Sequence, residues 1–172
     1  MRAVGGRAVL VPLDLKDMAA IDRLGPALAE RFGRVDVFIG NAAVLGSLRP
    51  LAHYTPELWS EAFEVNVHAN WRLLRTLDPL VRRSDAGRVI LVTSRITQSL
   101  RPYWSLYAAT KAALEAMARC YANELKQTRV TVNLIDPHYL SFINSVMPNI
   151  RKKGLGLLAM KSNGMGAIGK AS

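Results

Sequence analysis

Val35-Asp36-Val37-Phe38-Ile39-Gly40 is a short run of mostly branched and aromatic residues that feeds directly into Asn41-Ala42-Ala43. Such side chains pack well on a pleated surface, and a nearly unbroken apolar run reads as a strand covered on both faces. Outward from it the same design recurs. Arg88-Val89-Ile90-Leu91-Val92-Thr93 ends on Ser94, and Val130-Thr131-Val132-Asn133-Leu134-Ile135 ends on Asp136. Upstream, Ala8-Val9-Leu10-Val11-Pro12-Leu13 reads as another strand, ending on Asp14. Helical spacing fills the intervals: residues 17–32, where Gly25-Pro26 predicts a kink, about 56–83 with a bend, and 105–126. Thr55-Pro56-Glu57 supplies an N-cap with proline at the first helical position. Strands alternating with helices predict an α/β fold, a parallel sheet with flanking helices. Ligands of such sheets sit beyond the carboxyl ends of the strands. Asp14, Asn41, Ser94 and Asp136 fall there, one per strand.

With 172 residues, half of them apolar and 21% charged, the chain has room for one such domain and excludes disorder, collagen-like repeats and a disulfide scaffold. No run approaches the ~20 apolar residues a membrane span needs, and no secretory h-region follows Met1. One cysteine, Cys120, forms no internal disulfide, so a cytoplasmic location with no membrane partner is expected. Residues 1–136 hold 18 Lys/Arg against 13 Asp/Glu, and residues 137–172 add five Lys/Arg and no acid, so the net charge of +10 divides evenly between the two segments. No nucleic-acid-reading motif accompanies that charge, and dedicated nucleic-acid binding is not expected.

The chemistry centres on Tyr107-Ala108-Ala109-Thr110-Lys111, which sets a phenol and an ammonium one helical turn apart on one face. A phenol with an ordinary pKa near ~10 needs help to act as acid or base at neutral pH, and a neighbouring cation favours the phenolate. Ser94 ends the preceding strand thirteen residues earlier, where its hydroxyl could hold a substrate oxygen beside that phenol. Alone, Tyr-x-x-x-Lys is a common pairing on amphipathic surfaces.

Together with the strand-end residues, these motifs resemble the short-chain dehydrogenase/reductase family from about Gly6 to Asp136. Asp14 resembles the acid that bonds the adenine, with Leu15 beside it. Asn41-Ala42-Ala43-Val44-Leu45-Gly46 is similar to the family's Asn-Asn-Ala-Gly segment along the adenosine ribose, with Gly40 in place of its first asparagine. Val65-Asn66-Val67 matches the helix asparagine that anchors a water of the proton relay. Ser94, Tyr107 and Lys111 complete the tetrad. The resemblance implies a Rossmann-like sheet, NAD or NADP as cofactor, and hydride transfer between the nicotinamide and a small alcohol or carbonyl. In that chemistry Tyr107 exchanges the proton, Ser94 positions the oxygen, Lys111 lowers the phenol pKa and bonds the nicotinamide ribose, and Pro137 lies on the nicotinamide side. It also implies a homo-oligomer assembled through the helices at about 56–83 and 105–126.

The pattern departs from the family at both ends. The family opens with a strand, a Gly-rich turn, a helix and a second strand; here the first strand corresponds to the family's third. A partial Rossmann-like domain truncated at the N-terminus is therefore expected over residues 1–136, with weak or no dinucleotide binding and impaired catalysis. The alternative is a non-catalytic fragment or interaction module that keeps a relic site. Residues 136–170 resemble a piece of an aldo-keto reductase, and 137–172 read as a separate basic, Gly-rich tail. Within it, 141–153 predict a helix and Leu155–Met160 a strand placed parallel to Val130–Ile135. The formal GxGxxG at 164–169 lacks a following helix and reads as a flexible loop.

Among the remaining residues, His53 and His68 have no metal-ligand spacing, so no metal is expected. His138 stands where the family has glycine beside the nicotinamide. Cys120 is expected to pack among Ala116, Met117 and Tyr121. Trp104 either walls the substrate pocket or packs on the helix start.

Overall fold

The computed structural model describes residues 9–136 and the backbone of residues 157–160. In chain order the elements are α1 (Met18–Phe32), β1 (Val37–Gly40), α2 (Pro56–Phe63), a π-helical turn (Glu64–His68), α3 (Ala69–Val81), β2 (Arg88–Val92), α4 (Ile96–Ser99), α5 (Ser105–Glu124), β3 (Thr131–Ile135) and β4 (Leu157–Met160). The four strands form one parallel sheet in the order β3-β2-β1-β4. The expected class, a parallel sheet flanked by helices in the manner of a partial Rossmann fold, is what forms.

Alternation along the strands sorts their side chains between two faces. Phe38, Val89 and Leu91 join Ile21 and Leu24 of α1, Leu73 and Leu77 of α3, and Leu114 of α5 in the main core. Val37, Ile39 and Ile90 point the other way, with Val92 and Ile135 packed against them. β1 is buried at every position, as its apolar sequence predicts.

Gly25 and Pro26 lie inside one helix, which continues through them to Phe32. Two local features explain how α1 accommodates them. A Cβ on Gly25 would stand 2.2 Å from Thr76 Oγ1 and 2.4 Å from the Thr76 carbonyl oxygen, so glycine permits the close crossing of α1 on α3. Pro26 has no N–H for the carbonyl four residues earlier. That carbonyl, on Asp22, accepts a hydrogen bond from Thr76 Oγ1 at 3.1 Å instead. The bend expected within 56–83 is the π-helical turn between α2 and α3, and Thr55 caps α2 as predicted, accepting from the Leu58 N–H.

Three expectations fail. Residues 9–13 form no strand, and Leu10 is 92% exposed. A strand persists only with a partner, and β1 already pairs on both sides, with β2 and β4. The C-terminal strand does not extend the sheet beside Val130–Ile135. β4 lies on the opposite edge, with Leu157 to Met160 in register with Val37 to Gly40. That edge borders β1, buried at every position, whereas no position of β3 is fully buried, so pairing there completes the ladder of the more buried strand. Finally, Cys120 is exposed on the outer side of α5 and does not pack inward. The expected helix at 141–153, the glycine segment at 164–169, His138 and Pro137 lie outside the described residues.

Candidate active site

Because the strands are parallel, β1, β2 and β3 deliver Asn41, Thr93-Ser94 and Asp136 to the same edge of the sheet. The Thr93 N–H donates to the Ile135 carbonyl at 2.8 Å and carries the β2–β3 ladder up to Ser94. There the chain turns into α4. Ser94 Oγ accepts from the Ile96 N–H at 3.4 Å, and its carbonyl accepts from Thr97 Oγ1 at 3.0 Å.

α5 carries Tyr107 and Lys111 over that edge. Lys111 is 2% exposed, and its ammonium donates to the Val92 carbonyl at 2.8 Å, at the last residue of β2. Its Nζ stands 5.6 Å from the centre of the Tyr107 ring. Burial brings the Lys111 pKa down to about 8, because the charged form has lost water. The phenol of Tyr107 is pushed up, first by burial and then by the negative charge of Asp136. The depression of the phenol expected from Lys111 is therefore not what this arrangement gives. Burial weakens the cation itself, and the ammonium's described hydrogen bond goes to a backbone carbonyl. Trp104 meets the Tyr107 ring edge-on, centroids 6.3 Å apart, so it packs at the start of α5 beside the phenol.

Asn66 sits in the π-helical turn, fully buried. Its side chain clamps Val44 in both directions: Oδ1 accepts the Val44 N–H at 2.8 Å and Nδ2 donates to the Val44 carbonyl at 2.9 Å. Nδ2 also donates to Thr110 Oγ1 at 3.0 Å. The Asn66 backbone carbonyl accepts from Asn70 Nδ2 at 2.9 Å. The loop after β1 is thus bolted to α5 through one asparagine. π-Turns recur at functional sites because the extra residue redirects a side chain.

Of the residues expected at the adenosine end, Asn41 is exposed while Ala42 is 4% exposed, at the strand's mouth. Asp14 is exposed, its Oδ1 accepting from the Lys16 N–H at 2.9 Å. The Leu15 side chain packs against the main core.

Several neighbours escaped the sequence reading. Thr93, Ser94, Arg95, Thr97, Gln98, Glu115 and Asp136 line a polar cavity of about 200 Å³. Glu115 accepts from the hydroxyls of Thr93 and Thr97, and Arg95 Nε lies 3.6 Å from Asp136. Glu115 follows Lys111 by four residues and Asn70 follows Asn66 by four, so helical spacing alone could have put each pair on one face. The chain between Ser94 and Tyr107 holds two non-glycine residues in the left-handed region, Leu100 at φ 43° and Tyr103 at φ 71°. Tyr54 Oη and the Arg49 N–H both donate to the Tyr103 carbonyl and fix that loop. Among the described residues no group of His, Cys, Asp and Glu could hold a metal ion, and no helix is long and apolar enough to cross a membrane.

A parallel-sheet α/β domain carrying a tyrosine and a buried lysine one turn apart, over the carboxyl ends of the strands, has the architecture of a partial Rossmann fold. The family model for short chain dehydrogenases matches residues 1–152, and the chain belongs to that family. It is 36% identical over 115 residues to YciK, an uncharacterised oxidoreductase of Escherichia coli K12, covering 67% of this chain and 45% of that protein. A short chain dehydrogenase from Shigella flexneri, solved with NADP, superposes with a TM-score of 0.69 at 33% identity, covering 73% of this chain and 53% of that one. Another from Escherichia coli CFT073, solved with NADPH, gives a TM-score of 0.69 at 31% identity, covering 84% of this chain and 62% of that one. The chain spans about half the length of the curated relatives it matches.

Proposed function

We propose that this chain carries the proton-transfer half of an NAD(P)-dependent short-chain dehydrogenase/reductase site, acting on a small alcohol or carbonyl. The observation that carries the reading is the placement of Lys111, buried and anchored to the end of β2 one turn from Tyr107, immediately before Thr93-Ser94. Tyr107 holds or releases the proton on the substrate oxygen, and Ser94 orients that oxygen. Lys111, with a pKa brought down to about 8 by burial, changes charge close to neutral pH one turn from the phenol. Asn66 holds the loop after β1 against α5.

The residues fit part of a nicotinamide dinucleotide. Lys111 and Tyr107 suit the nicotinamide ribose, and Asp14, Leu15, Asn41, Ala42 and Ala43 suit the adenosine end. Among the described residues no glycine-rich turn opens a helix at this edge to receive the diphosphate. When bound, the reduced cofactor would supply a hydride to the carbonyl carbon, or the oxidised form would accept one from the alcohol. NAD and NADP are both compatible with the residues named. A homo-oligomer formed through α2–α3 and α5 belongs to the same reading.

β4 favours a second reading. It fills the edge of β1 where the family resemblance puts the first, cofactor-bearing strand. In that reading the chain is a binding or interaction module with a relic site. One experiment separates the two. Calorimetric titration with NAD and NADP is run beside an alcohol-oxidation assay, on the full chain and on Tyr107→Phe. Turnover that depends on Tyr107 supports the enzyme. No dinucleotide binding and no Tyr107-dependent turnover supports the module.

A further inference from the structure

Thr110 stands between the two halves of the candidate site. It is fully buried on α5, with Tyr107 one turn before it and Lys111 next to it. Its Oγ1 donates to the Tyr107 carbonyl at 2.9 Å, which commits the hydroxyl proton to the helix. The oxygen's lone pairs remain, and one accepts from Asn66 Nδ2 at 3.0 Å. Both N–H groups of Asn66 are then used, one on Val44 and one on Thr110. The direction of every bond in this chain is fixed, because the amide can only donate to Thr110 and Thr110 can only donate to a carbonyl.

We propose that Thr110 is the positioning residue that sets the loop after β1, through Asn66, in register with the Tyr107–Lys111 face of α5. The inference rests on the proposed function for its catalytic consequence and on the hydrogen-bond geometry alone for its structural one. Thr110 touches no reacting atom in this account. It acts by holding Asn66, and Asn66 holds Val44, three residues beyond Asn41. A loosened Asn66 lets the Asn41–Val44 segment and α5 shift relative to each other, and misplacement of about 1 Å can cost a large factor in rate.

Valine has nearly the shape of threonine, so Thr110→Val removes the acceptor and leaves the volume filled. Thr110→Ser keeps the acceptor and removes a methyl. Each full-length variant is compared with the parent by nuclear magnetic resonance of the Asn66 side-chain amide and of the Lys111 amine, and by kcat and KM where the parent turns over. Thr110→Val is expected to shift the Asn66 amide signals, speed their exchange with solvent and move the Lys111 titration midpoint. Its kcat is expected to fall by about tenfold with KM nearly unchanged. Thr110→Ser is expected to keep the parental amide signals, midpoint and kcat. A serine variant that loses the parental amide signals overturns the proposal, whether or not the valine variant folds. A folded valine variant with parental amide signals and midpoint overturns it as well. If the parent has no turnover, the proposed function fails and the resonance arms still decide the role of Thr110.

Discussion

Asn70 occupies the space that Gly40 leaves. A Cβ on Gly40 would stand 2.7 Å from Asn70 Oδ1 and 2.6 Å from Leu91 Cδ2. Asn70, on α3, thus reaches the end of β1. It uses its other end, Nδ2, to hold the Asn66 carbonyl. A glycine in the strand is thus met by a polar side chain on the helix packed over it.

Gly40→Ala is therefore expected to destabilise the fold by about 1–3 kcal/mol, the usual result of forcing atoms into a filled core. Placing it in an Asn70→Ala background removes one of the two clashes, while the one with Leu91 remains. The two changes should show a favourable coupling of at least about 0.5 kcal/mol in a double-mutant cycle by urea unfolding. Strict additivity would mean that Asn70 moves freely and does not claim that space.

Lys111 makes stability depend on pH. Its folded pKa is near about 8 against an unfolded value of 10.5. Between those values the unfolded chain binds the extra proton, so stability rises with pH through that window. Below about pH 8 the folded state carries the full burden of a buried ammonium, about 3 kcal/mol for a shift of this size. Lys111→Met should thus exceed the parent in stability at pH 7, and the gap should close toward pH 10.5. Denaturant unfolding at several pH values checks it; a gap that widens with pH would reverse the sign and refute the assignment.

The Pro26–Thr76 compensation predicts a different cycle. Thr76→Val leaves the part-buried Asp22 carbonyl without its described partner, and a loss of about 1 kcal/mol is expected. Pro26→Ala restores an N–H four residues after Asp22, so the same Thr76→Val change should lose most of its effect in that background. Equal losses in both backgrounds, read from thermal unfolding, would show that the threonine matters only for packing.

These pairs mark where the sequence was legible and where it was not. β1, β2 and β3 were readable because near-continuous runs of branched apolar residues mark strands covered on both faces and ended on polar residues at the same edge. Tyr107 and Lys111 were readable because one helical turn separates them. Asn70, Glu115 and Thr76 were not, because their meaning depends on what another element brings against them: Gly40, the Thr93 and Thr97 hydroxyls, and the carbonyl freed by Pro26. The misread strand at residues 9–13 is the same lesson in reverse. Its local pattern is good, but strand formation requires a neighbour, and neighbours are assigned by the whole sheet.

That dependence also governs the last prediction, which concerns β4. Its four residues run parallel to β1 with Met160 opposite Gly40, on the side of β1 away from β2. Without it, a strand buried at all four positions would present a row of unpaired N–H and C=O groups to solvent, the kind of edge that recruits other chains. Deleting residues 157–172 should speed hydrogen exchange at the β1 amides that face β4, while the amides of α5 and of the β2–β3 ladder stay protected. The shortened chain should also self-associate as its concentration rises, because an open parallel edge next to a complete core is a template for pairing. A charge placed on β1 would confound the test by disturbing the core, so the control is Leu157→Lys, which alters one residue of β4 and leaves its backbone groups in place. Exchange by mass spectrometry and sedimentation velocity give the two readouts. Unchanged β1 exchange and the same assembly state as the full chain at all concentrations would show that residues 157–160 do not hold this edge.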